Sequence, residues 1–193
     1  MMKQVLLCNL LLITLFLSGC LPAVFVAGAT AGGSVITDRR SFQTILKDKQ
    51  ITCKSLIQLN SEPALKNCSH ISVATFNRVV LLVGETENMQ LRDRAYELVK
   101  AVPNIRRITN EIVIGDPLDG KGHSTDMWIT TKVKTAMLAE KGLNSTQIKV
   151  ITEGTVVYLM GLVTHCQAET AINVVRQVTG VTKVVTLFEF CPG

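Results

Sequence analysis

The stretch GDPLDGKG, Gly115 to Gly122, has the glycine and lysine spacing of a phosphate-binding loop. In such a loop backbone amides cradle the phosphates, the lysine neutralises them, and a following Ser or Thr holds magnesium. Here Gly122 stands where that hydroxyl is required, Asp116 and Asp119 set carboxylates beside the phosphate, and Pro117 removes an amide. The stretch therefore reads as a turn-rich linker. His70, His123 and His165 are dispersed, without the spacing of a metal-binding helix, and neither a GxSxG nucleophile motif nor a Cys motif with a His partner occurs. These residues describe a binder, not an enzyme, with no cofactor and no metal site.

Cysteines carry the remaining chemistry. After Lys3 an apolar run extends from Val5 to Leu17 and ends in LSGC at Cys20. A basic start, a short apolar core and a small-residue cleavage site describe a secretory signal peptide over residues 1–19, too short for a membrane span. Leu-Ser-Gly-Cys looks like the bacterial lipobox, which makes Cys20 the acylated first residue of a lipoprotein. Each buried methylene of an acyl chain contributes about 0.8 kcal/mol, so several chains hold a protein at a bilayer without a spanning helix. The residue after Cys20 is Leu21 and not Asp, which in the sorting rule implied by that resemblance favours the outer membrane. Removing residues 1–19 from the 193 leaves 174, and the formal charge of +5 falls by the one unit of Lys3. That balance is too weakly basic to argue for nucleic acid. Cys53, Cys68, Cys166 and Cys191 contain no CxxC, so they are candidates for disulfides in an oxidising compartment.

The elements that position these residues come from a unit written twice. ISVATFNRVVLLVGE (71–85) and IKVITEGTVVYLMGL (148–162) each show a strand, a tight polar turn, a second strand and a glycine. Leu91, Ala95, Leu98, Val99 and Val102 then share one helical face, as do Ala171, Val174, Val175 and Val178 in the second copy. A further helix precedes each hairpin, beginning near Asp48 and at Asp126. The fold class is α+β: two tandem α-β-β-α-β domains, each a three-stranded mixed sheet packed on two helices in two layers, after a signal peptide and a flexible tether. The divisions are residues 1–19 (signal peptide), 20–47 (acylated terminus and small-residue tether), 48–114 (first domain), 115–124 (linker) and 125–191 (second domain).

In each unit the helix returns the chain to a third strand parallel to the second, so Cys166 and Cys191, both just past strand ends, emerge at one edge. Cys53 on a helix and Cys68 in the next loop also permit closure. The expected bridges are Cys53 with Cys68 and Cys166 with Cys191, among three possible pairings.

The twin units, with V-x-L-x-G in the second strand and V-x-x-V before the third, resemble BON domains. The lipobox with TDRR, VLLVGE, NEIVIGDP, DMWITTKVKTAML and VYLMGLVT is similar to the dual-BON outer-membrane lipoproteins over nearly all of the mature chain. Cys53 and Cys68 are departures from that pattern. The resemblance implies a lipid-anchored protein on the periplasmic face of the outer membrane, supporting envelope integrity at cell division sites. It also implies anionic, phosphatidylglycerol-like phospholipid as partner.

Within DMWITTKVKTAMLAE (126–140), Ile129, Val133, Ala136 and Met137 fall on one arc of about 100°. Trp128, the only tryptophan, lies outside it with Thr131, Lys132, Thr135 and, further round, Lys134 and Leu138. Two readings stand on the residues alone. Either the indole covers a gap between the domains, or it sits at a hydrocarbon–water boundary with the lysines reaching phosphates. The resemblance implies the second, with Trp128, Lys132, Lys134 and Leu138 as the phospholipid-binding set. Other function classes that fit the chain are an adaptor for another envelope protein and a periplasmic stress chaperone.

Overall fold

A computed structural model describes residues 38–117 and 121–191, with backbone only for 121–123. The expected signal peptide, the acylation site Cys20 and most of the tether lie outside the described residues. Residues 36–193 separate as one compact unit that contains three hydrophobic clusters.

The first copy opens with helix α1 (Phe42–Asn60), whose N-terminus is closed by the Ser41 hydroxyl accepting from the Thr44 amide. A short helix α2 (Pro63–Lys66) leads to strands β1 (Ser69–Phe76) and β2 (Val79–Thr86). Helix α3 (Met89–Lys100), capped by Asn88, returns the chain to strand β3 (Arg107–Ile114). The second copy repeats this with α4 (Lys121–Ala139), a 3-10 turn, β4 (Ile148–Glu153), β5 (Val156–Val163), α5 (His165–Arg176) and β6 (Lys183–Phe190). Thr164 and Gln167 form a reciprocal capping box at the start of α5. In each sheet the central strand pairs antiparallel with the hairpin strand and parallel with the last, in order β1-β2-β3 and β4-β5-β6. This is the expected α-β-β-α-β unit, twice.

Both first helices begin earlier than their sequence suggests, α1 at Phe42 and α4 at Lys121 within the stretch read as linker. Asp126 therefore lies inside its helix and not at its start, which corrects that expectation. Its carboxylate accepts from the Gly154 and Thr155 amides at 2.8 and 2.9 Å. Asp48, one repeat earlier, accepts from Asn77 and Arg78 at 2.8 and 2.7 Å. The reason lies in the hairpin turns, where Asn77, Arg78, Gly154 and Thr155 all have positive φ. A two-residue turn of this kind matches strand twist, but positive φ is costly for Arg and for β-branched Thr. A buried carboxylate taking both turn amides offsets that cost and pins each helix to its hairpin. Beside it, a Thr–Thr hydroxyl bond makes a second tie, Thr52 to Thr75 at 2.9 Å and Thr130 to Thr152 at 2.7 Å.

The repeated glycine of each central strand has a steric cause. A Cβ on Gly84, at φ +121°, would lie 1.9 Å from the His70 carbonyl oxygen, and one on Gly161 would lie 2.9 Å from that of Gln147. The adjacent backbone approaches so closely that a side chain is excluded at Gly84 and crowded at Gly161.

Each sheet packs its helices on one face, Val80 and Leu82 meeting Ile51, Ala95 and Val99, and Val157 and Leu159 meeting Ile129, Val133 and Val175. The opposite faces do not face water. Ala74, Phe76, Val79, Leu81 and Val83 of the first sheet join Tyr158, Met160 and Leu187 of the second in a third cluster. The two-layer units thus stack into four layers, helix-sheet-sheet-helix. This is why VVLLV in β2 is apolar at every position instead of alternating. At the margin Glu189 accepts from Asn77 and from Arg106, and Lys149 donates to the Thr75 carbonyl at 3.3 Å.

Candidate functional site

Helix α4 is clamped from below. Ile129, Val133 and Met137 are buried against the second sheet, and the turn at Gly180 presses so close that a Cβ there would lie 3.2 Å from Ile129 Cγ1. With the Asp126 and Thr130 ties, the helix cannot rotate without breaking its core.

That fixed orientation leaves its other face outward. Trp128 is 64% exposed and Leu138 72%. Met127, 72% exposed, belongs to the same surface. It was missing from the set expected from sequence, although it precedes Leu138 by eleven residues, a spacing that returns to within about 20° on a helix. The four expected residues divide into two groups. Lys134 is exposed and lines, with Leu138, Met137, Ile148 and Val150, a cleft of about 300 Å³ beside the C-terminal half of α4. Lys132 is half-buried instead. Its ammonium donates to the Thr179 carbonyl at 2.5 Å and stands 5.9 Å from the centre of the Trp128 ring. Lys132 thus steadies the indole by cation–π attraction, whereas Lys134, exposed, makes no ion pair among the described residues. The geometry can do two things: insert an apolar ridge into a soft boundary, and offer one ammonium beside it.

The first copy has no equivalent ridge at these positions. Counting from the paired Asp48 and Asp126, Gln50 stands for Trp128, Leu56 for Lys134 and Asn60 for Leu138. Helix α1 instead exposes Phe42, Leu46, Leu56 and Ile57, which lie within an arc of about 100°.

Neither expected disulfide is formed, because all four cysteines are thiols. Cys53 is exposed on α1. The Cys68 thiol bonds the Glu87 side chain, which pushes its pKa above the usual value. Cys191 Sγ accepts from Arg39 at 2.6 Å. Cys166 and Cys191 do share one end of the second unit, where the Cys191 amide donates to the Val163 carbonyl and the His165 and Phe190 rings stack 3.9 Å apart. Among the described residues no helix is long and apolar enough to cross a membrane, and no cluster of three or more His, Cys, Asp or Glu could hold a metal.

Comparison with known proteins completes the description. The BON domain family matches residues 47–116 and 125–192. The chain is 33% identical over 177 residues to the outer membrane lipoprotein DolP of Haemophilus influenzae, covering 92% of this chain and 91% of that one. It is 33% identical over 153 residues to a 21 kDa hemolysin of Actinobacillus pleuropneumoniae, covering 79% of each. Against the osmotically-inducible protein Y of Escherichia coli it is 28% identical over 158 residues, covering 80% of this chain and 78% of that one. Two matched domains over a duplicated α-β-β-α-β scaffold, with end-to-end similarity to one lipoprotein, place the chain in the BON-domain family as a homologue of DolP.

Proposed function

We propose that this protein is lipid-anchored through Cys20 to the periplasmic face of the outer membrane. In this reading the outward face of α4 binds anionic, phosphatidylglycerol-like phospholipid and directs the protein to particular regions of the envelope, division sites among them, where it supports envelope integrity. The role is binding and not catalysis, and similarity to an outer membrane lipoprotein supports the location.

The observation that carries the reading is an indole and a leucine left 64% and 72% exposed on a helix whose opposite face is fully buried. Apolar side chains held outward by a rigid core contribute nothing to folding, but they gain free energy at a hydrocarbon boundary. Lys134 adds about 1 kcal/mol near an anionic surface. A tryptophan side chain presents roughly 250 Å². With 64% of that open, complete immersion would contribute about 4 kcal/mol, and half immersion about 2 kcal/mol. That is weak for a free protein and effective for one tethered at the surface.

The test is co-sedimentation of residues 36–193 with phosphatidylglycerol vesicles, comparing the wild type with a variant carrying Trp128→Ala and Leu138→Ala. The expected loss is roughly 30-fold or more in affinity, the equivalent of about 2 kcal/mol. Equal binding by the two proteins removes the reading.

A further inference from the structure

The apolar seam between the two sheets gives way to polar side chains at the margin beside α1. There a cleft of about 630 Å³ opens between α1, the end of β1 and the start of β4, within the range of small-ligand sites, about 300–1,000 Å³. Its walls are of two kinds. Ile45, Leu56 and Phe76 supply hydrocarbon, and Arg40, Lys49 and Lys149 supply positive charge.

The three cations are not equivalent. Arg40 is already engaged, bonding Asp38 at 2.7 Å and Asp48 at 2.6 Å, with its guanidinium 3.9 Å over the Phe76 ring. Asp48 is in turn committed to the hairpin amides. Among the described residues neither Lys49 nor Lys149 makes an ion pair. Lys149 alternates with Ile148 and Val150, which face the helices, so its side chain is sent to the opposite face of the sheet, toward the seam. Burial, and then repulsion from Arg40, push its ammonium below the ordinary lysine range. Lys149 is nonetheless an exposed residue that lines the cleft, where its ammonium donates to the Thr75 carbonyl and, among the described residues, pairs with no carboxylate. Two aspartates and one arginine leave one negative charge, and the two lysines turn this into one positive charge in excess.

We infer that this cleft binds a single-chain amphiphile carrying one negative charge, with its head on Lys149 and Lys49 and its chain along Ile45 and Leu56. The excess of one positive charge matches one anionic head. The apolar wall gives a chain something to cover that a bare inorganic anion would leave wet. The exposed Phe42, Leu46 and Ile57 on α1 extend that apolar surface beyond the cleft. This site uses none of the residues proposed to meet the membrane, so the two readings stand or fall separately.

The test is calorimetric titration of residues 36–193 with dodecanoate and, separately, with lysophosphatidylglycerol, each below its micelle concentration. Saturable one-to-one binding of either supports the inference and identifies the source of the chain as fatty acid or phospholipid remnant. Binding of neither overturns it, as does equal binding of dodecyltrimethylammonium, which has the chain without the negative charge. Lys149→Ala is expected to weaken binding about tenfold or more, Lys149→Arg to retain most of it, and Trp128→Ala to leave it unchanged. Because Lys149 also touches the seam, Cys53 provides a second readout: with Cys68, Cys166 and Cys191 replaced by serine, bound ligand should slow its reaction with a maleimide. Binding lost in Trp128→Ala but kept in Lys149→Ala, or Cys53 unprotected at saturation, assigns the amphiphile to α4 and overturns the inference.

Discussion

Replacing Asp126 by Asn separates two physical roles that an aspartate at this position can play. As a helix cap, Asp and Asn are nearly equivalent, and loss of the side chain to Ala costs about 1 kcal/mol. As the clamp on the β4–β5 turn, the carboxylate is an acceptor for two amides at once, at 2.8 and 2.9 Å, and it is 7% exposed. Hydrogen bonds to a charged group contribute about 1.5–3 kcal/mol each. The released amides of Gly154 and Thr155 lie near the surface and recover part of this from water, so Asp126→Ala should cost about 2–4 kcal/mol. Asn offers one acceptor oxygen and turns its NH2 group toward the second amide, so Asp126→Asn should cost roughly half as much. For a unit of this size that is a fall in Tm of about 5–15 °C for Ala. Urea unfolding of residues 36–193 followed by circular dichroism measures both variants. If Asn is tolerated within about 0.5 kcal/mol while Ala costs about 1 kcal/mol, the clamp is wrong and the helix-cap role is restored.

The same clamp in the first copy also holds Arg40, so Asp48→Asn should destabilise more than Asp126→Asn in that urea series. Gly84→Ala forces a Cβ to 1.9 Å from a backbone oxygen at φ +121° and should cost about 3 kcal/mol or more. Gly161→Ala, with 2.9 Å and ordinary φ, should cost about 1–2 kcal/mol, and thermal melts of the pair check the order. Tyr158 sits in the sheet–sheet seam, where burial first, and then Glu111 and Glu153, push its phenol up to about 12. A raised value means the fold favours the neutral phenol, so its stabilisation is complete below pH 10 and is lost as pH rises from about 10 to about 12. Stability measured from pH 9 to 12 should fall in the wild type and fall less steeply in Tyr158→Phe.

Much of the fold was legible because it is local and stated twice. The hairpins, the parallel return and the apolar stripe of α3 and α5 depend on residues a few positions apart, and agreement between the copies reinforces each. The ends of the first helices were not legible. Asp48 and Asp126 have the residue type of caps, while their partners, the turn amides, lie 28 to 30 residues away. The state of the thiols was likewise not legible, since the partners of Cys68 and Cys191, Glu87 and Arg39, are set by the tertiary structure.

The sequence by itself determined the duplicated α-β-β-α-β units, the glycines at fixed strand positions and a helix with an indole off its apolar stripe. Only the tertiary structure decided that the bare sheet faces cover each other, that Lys132 is held against its own domain while Lys134 makes no ion pair among the described residues, and that Lys149 lines a cleft at the margin of the seam. Periodicity records which side of an element avoids water, but not what covers it. The covering surface here comes from the other copy of the repeat, about 77 residues along the chain, where no local pattern can point.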